Sequence, residues 1–255
     1  VTSYTVTATA TNNTFTGGLL KVYVLDNATL AGTPATANSV TAYNCSITTT
    51  QTGSYVFGTA NNETASTAFT ASGGTTITDD QSVNAGGAEA CAFHTTSATG
   101  TPGATTVGSS TTFAGNYGVV ALEVLNSGGS LTIDASSPAV VFSTTLTSFT
   151  TASFTPGASS NILVAVFDAC GNGSANVCVG TVSSVPALTW TEQIKINSTV
   201  GAANSYNGVW TATLPPGNAP FYPTNRALRA RLHSQGQQLK DPGLIYANSV
   251  YVPEP

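Results

Sequence analysis

Charge is what this chain lacks most. Charged side chains make up 7% of its 255 residues, against roughly 25% in an ordinary soluble domain. With only six Lys and Arg in all, it has no basic stripe to neutralise phosphates, which excludes most nucleic-acid binders. Long apolar runs are missing too. The longest, "ILVAVF" from Ile162 to Phe167, falls far short of the ~20 apolar residues of a membrane helix, so no membrane insertion is expected, and its β-branched content predicts a buried strand. Methionine is absent, and localisation is not legible at the N-terminus, which opens at Val1.

Hydroxyls fill the gap left by charge. Ser and Thr supply about a quarter of the residues, with many Gly, Ala and Asn besides. A chain of this kind stays soluble through hydroxyls and amides, which suits a protein that works outside a cell or packed against neighbours. Its length is enough for one large β-domain or two of ordinary size.

Helical spacing of apolar residues is not sustained anywhere, while short alternating runs broken by Gly, Asn and Thr recur throughout. The chain reads as all-β. Strands are predicted at 19–25, 54–58, 118–125, 139–143, 161–167, 188–196 and 208–214, with Thr-rich stretches such as "SITTTQT" and "TTLTSFTTASFT" as further strands. "NSGGS" at 126–130 marks a boundary. Two β-sandwiches, jelly-roll or immunoglobulin-like, are expected at 1–130 and 131–214, followed by an extended tail at 215–255. The openings "FTGGLLKVYVLDN" and "FTPGASSNILVAVFDAC", and the closings "NYGVVALEVL" and "SYNGVWTATL", point to a duplication.

The tail differs in texture. Seven of the twelve prolines lie between Pro215 and Pro255, and four of the six basic residues, Arg226, Arg229, Arg231 and Lys240, cluster there. Up to Leu214 only Lys21 and Lys195 face nine acids. An extended basic segment on an acidic body predicts docking onto an acidic partner surface, with a solvated end as the bland alternative. The final "LIYANSVYVPEP" alternates like a strand that could add to a neighbouring subunit.

Four cysteines allow three pairings. Cys170 and Cys178 flank "GNGSANV", a length a hairpin turn would close, which leaves Cys45 and Cys91 to bridge the N-terminal domain. Four buried thiols are the alternative. "DACGNG" from Asp168 only half-resembles a calcium loop, because Cys170 occupies a ligand position.

Catalytic signals are poor. His94 and Cys91 lie three apart on one strand and so point to opposite faces, and Asp79 and Asp80 are adjacent, so they diverge and are expected to shape a turn. No nucleophile elbow, zinc-hydrolase, P-loop or dinucleotide motif occurs, so no catalytic residue, metal or cofactor is assigned. Trp190 and Trp210 are the candidates for a glycan-stacking platform, although Trp190 reads as sharing a core face with Leu188, Ile194 and Ile196.

The succession "TGSYVFGTANN", "NYGVVALEVL", "FTPGASSNILVAVF", "LTWTEQI", "PFYPTNRALRARL" and "DPGLIYANSVYVPEP" resembles the β-sandwich virion surface or minor tail proteins of tailed actinobacterial bacteriophages. The four cysteines depart from that pattern. The resemblance implies a non-enzymatic virion component exposed on the particle, either a decoration protein, a fibre or a minor tail protein. Other virion proteins and further copies of the chain would be its partners, along with a host-surface glycan. A secreted bacterial adhesin or glycan-binding surface module is the alternative.

Overall fold

The first strand shows how this composition folds. In "TVTATAT" the apolar residues are buried and the threonines between them are not, the alternation expected when one strand face meets a core. The computed structural model describes residues 2–11, 15–37, 43–62, 67–84, 88–112, 117–172, 179–200 and 203–215. Among them there is no helix. The strands are β1 (Thr5–Thr11), β2 (Phe15–Asp26), β3 (Ala28–Ala37), β4 (Asn44–Thr48), β5 (Tyr55–Asn62), β6 (Thr75–Asn84), β7 (Ala88–Thr95) and β8 (Ala104–Gly108). They continue as β9 (Tyr117–Asn126), β10 (Thr132–Ile133), β11 (Val141–Ser143), β12 (Ser148–Thr150), β13 (Ser160–Asn172), β14 (Val179–Val185), β15 (Trp190–Val200) and β16 (Ala203–Thr213).

These strands form four sheets: a three-stranded sheet β12-β1-β14, a six-stranded sheet β10-β2-β13-β16-β15 with β11 also on β2, a five-stranded sheet β3-β9-β5-β7-β6, and the pair β4-β8. Three apolar cores stack them in that order. Val6, Ala8 and Phe149 of the three-stranded sheet meet Leu20, Val22, Leu163 and Phe167 of the six-stranded one. On its opposite face, Leu19, Tyr23, Val164 and Val166 meet Phe57, Ala90, Val120 and Leu122 of the five-stranded sheet. The far face of that sheet, with Val56, Cys91, Phe93 and Val119, is covered by Cys45, Ile47 and Val107 of the β4-β8 pair. The central strands of both inner sheets are therefore buried on both faces and lose the polar alternation of β1. All eight residues of "ILVAVFDA" at 162–169 are buried, as the apolar run predicts.

The predicted strands at 19–25, 54–58, 118–125, 139–143, 161–167, 188–196 and 208–214 all fall on or overlap observed strands. The predicted division at 130 does not follow the sheets. β2 pairs with β13 along nearly its whole length, and β1 lies between β12 and β14, so β1 and β2 belong to the sheets that contain β10 to β16. The two F-T-x-G openings lead into strands that are hydrogen-bonded neighbours in one sheet. Strand pairing at this sequence distance leaves no local trace in the chain, whereas the Gly-rich turn at 126–130 does. The tail from 216 onward lies outside the described residues.

Candidate functional site

β14 ends at Val185, and Pro186, which has no N–H to donate, comes next. The chain then returns as β15, the edge strand of the six-stranded sheet. The three-stranded sheet above is narrower than the six-stranded sheet it covers, and beyond its edge strand β14 a strip of β15 and β16 stays half-buried. Trp190, Glu192 and Trp210 lie in that strip. Trp190 pairs with Ala212 and Glu192 with Trp210 across the two strands, so the two indoles are diagonal neighbours on one face, packed against the core beneath.

Hydrogen bonds fix the polar groups around the indoles. Trp190 Nε1 donates to Ser184 Oγ at 3.2 Å, and the Leu188 amide donates to the same oxygen at 3.1 Å. Trp210 Nε1 donates to the Tyr206 hydroxyl at 2.9 Å, and that hydroxyl donates to Glu192 Oε1 at 3.1 Å. Lys195 Nζ holds Glu192 Oε2 at 3.1 Å. The Tyr206 ring is fully buried and lies between Gly180 and Gly208, where an added Cβ at either position would collide with it.

The strip departs from simple alternation at one point. A register shift between Glu192 and Ile194 inserts a residue, and such a bulge reverses the facing of the residues after it. Trp190 therefore packs on the core beneath the three-stranded sheet, while Ile194 and Ile196 pack on the opposite face against the five-stranded sheet. The predicted shared face of Trp190 with Ile194 and Ile196 is corrected accordingly. The same bulge lets Glu192 and Lys195 meet although they are three residues apart on a strand.

A second polar cluster lies in the β6–β7 hairpin. Asp79 and Asp80 stand in a strand, not a turn, and diverge as adjacent residues should. Asp79 pairs with Lys21 of the six-stranded sheet at 3.2 Å. Asp80 accepts the Phe69 amide at 2.7 Å and a hydrogen bond from the Glu89 carboxyl. Burial and the neighbouring Asp80 raise Glu89 to about 7, and burial raises Asp80 as well. Burial thus favours the protonated form of each carboxyl.

Two other acids brace turns. Glu123, fully buried, accepts the Thr50 amide and hydroxyl, both at 2.8 Å to one or other oxygen, the Gln51 amide at 3.2 Å and the Ser54 hydroxyl at 2.7 Å. Burial pushes its pKa up, but these donors outweigh burial and hold it below the usual range. Asp134 is lowered in the same way against burial, by Ser136, Ser160 and the Gly157 amide.

The remaining predicted residues separate. His94 packs its ring against Tyr23, on the face opposite Cys91, and burial lowers its pKa. Cys45 and Cys91 are free, buried thiols, which corrects the predicted bridge: they belong to different sheets, β4-β8 and the five-stranded sheet, and each fills the apolar gap between them. Burial pushes Cys45 up to about 12 and raises Cys91 too. Cys178 lies outside the described residues, as does the side chain of Cys170; β13 and β14, the strands on either side of the predicted turn, belong to different sheets. Asp168 lies mid-strand opposite Asn207, not in a loop. Arg226, Arg229, Arg231 and Lys240 lie outside the described residues. Among the described residues no cluster of three or more His, Cys, Asp or Glu side chains could hold a metal ion, and no helix is long and apolar enough to cross a membrane. Comparison with family models, with curated proteins and with solved structures finds no match to the chain.

Proposed function

We propose that the protein is a non-enzymatic structural component of a bacteriophage virion, displayed on the particle surface and anchored through its C-terminal segment. The four-layer stack carries this reading. Two inner sheets whose central strands are covered on both faces make a body stiff enough to stand out from a particle, and its outer three-stranded face presents hydroxyls bonded across strands, Thr7 to Thr150 at 2.9 Å and Thr9 to Ser148 at 3.0 Å. Such a face is hydrated without charge. The resemblance to actinobacterial phage surface proteins supports the same reading. Arg226, Arg229, Arg231 and Lys240 would meet an acidic surface on other virion proteins, and display in many copies would add avidity to each weak contact.

Peptide mapping of density-gradient fractions tests the proposal. Co-migration with nucleic-acid-containing particles at fixed stoichiometry is expected, and truncation after Leu214 should abolish it while the β-stack stays folded. Recovery only with soluble or cell-wall material would replace this reading with a secreted adhesin, the second reading, which the half-buried Trp190 and Trp210 favour.

A further inference from the structure

We propose that Trp190, Trp210 and Glu192 form a binding site for a neutral polysaccharide chain. Such a site goes beyond the virion reading and stands without it, since the strip would serve a particle or a cell surface alike.

Neither indole has a polar group left to offer. Both ring N–H groups are spent inside the protein, on Ser184 and Tyr206, so the surface each Trp keeps is aromatic carbon. Aromatic carbon fixed at the edge of a core suits the C–H faces of pyranose rings, which are apolar in their centre and polar at their rim. Diagonal cross-strand neighbours lie roughly 7–8 Å apart, close enough for consecutive sugar units of one chain to sit on both.

The polar rim is supplied beside the rings. Glu192 is the cross-strand partner of Trp210, and each of its oxygens takes one hydrogen bond within the protein, from Tyr206 and from Lys195. A carboxylate has about four acceptor sites, so it retains capacity for sugar hydroxyls. Lys195 offsets its charge, leaving the strip without net charge and matched to an uncharged ligand.

Preorganisation completes the site. Tyr206 is fully buried between Gly180 and Gly208, and its hydroxyl ties Trp210 to Glu192. Little side-chain freedom remains to be lost on binding, which is a principal cost of association at such a surface. A peptide adding to the edge strand β15 would use backbone groups instead and would not need these side chains.

The chain has two tryptophans in all, and both are in the strip, so its intrinsic tryptophan emission reports on this site alone. The full-length protein is titrated with cello-, malto- and chito-oligosaccharides from monosaccharide to hexamer. A saturable emission change with at least one series is expected, with affinity rising as the chain lengthens. Trp190→Ala and Glu192→Gln should each weaken binding about tenfold, read by calorimetry, with Glu192→Gln keeping the wild-type melting temperature. No saturable change with any saccharide overturns the proposal, as does a response to a Pro-rich peptide alone. Calorimetric affinities within about twofold of wild type for both variants also overturn it, because the sugar would then bind elsewhere. Particle co-fractionation is read separately, so failure of either test leaves the other standing.

Discussion

Asn207 Nδ2 donates to Asn61 Oδ1 at 2.9 Å across the gap between the two inner sheets. The same oxygen accepts the Gly118 amide at 2.9 Å, and both asparagines are fully buried. Together with the Lys21–Asp79 ion pair across the same gap, this contact limits how far one sheet can slide over the other. Hydrophobic packing alone tolerates such sliding, whereas a hydrogen bond does not.

Asn207→Ala should therefore cost about 1–3 kcal/mol, the usual penalty for breaking a buried hydrogen bond and leaving its partner short. Urea denaturation monitored by tryptophan emission measures it. A midpoint unchanged from wild type would mean that the contact contributes nothing to holding the layers.

Gly208 is needed because the Tyr206 ring occupies the space of a side chain there. Gly208→Ala should destabilise by about 1–3 kcal/mol through overpacking. It should also change the emission of Trp210, whose N–H depends on the displaced hydroxyl. An emission spectrum identical to wild type would show that the ring has not moved.

Acidity should stabilise this protein before it harms it. The folded pKa of Glu89, about 7, lies above the ordinary carboxylate value of about 4.3. The unfolded chain therefore gives up this proton first as pH rises. The stability contributed by protonated Glu89 is fully present below that ordinary value and is lost as pH climbs towards 7. Glu123 and Asp134 act in the opposite sense, because their depressed values place their loss of stability below the ordinary carboxylate range. The melting temperature should fall between mildly acidic and neutral pH, and Glu89→Gln should flatten that slope. A wild-type profile that rises over the interval would contradict the raised Glu89.

Cys45 and Cys91 should resist alkylation in the native protein and react in denaturant, since burial disfavours the thiolate of each. Mass-spectrometric mapping of alkylated peptides distinguishes them from Cys170 and Cys178. Rapid native labelling of Cys91 would show that the covering sheet opens.

Much of this architecture is local enough to read from the chain. "ILVAVF" is a buried strand because both its faces meet cores, and Asp79 and Asp80 diverge because they are adjacent on a strand. The facing of Trp190 is hidden by a single inserted residue: the bulge after Glu192 changes which face Ile194 and Ile196 occupy, and nothing in "LTWTEQI" announces it. The Asp80–Glu89 pair is hidden for a similar reason. It depends on hairpin register, and β6 is shifted both after Ile77 and after Ser82. The division at 130 fails because a turn is written locally while the partner of β2 is not.

The clasp around β1 bears on how the molecule is made. Thr9 touches Ser148, 139 residues further along, and accepts from Thr181, 172 residues further along. A ribosome therefore releases this segment long before either neighbour exists, and closing so large a loop is slow. In the interval the segment must remain harmless to other nascent chains. Its alternate threonines, which later face outward, keep it wetted while it waits, so the residue pattern that seals the finished stack also protects the unfinished one.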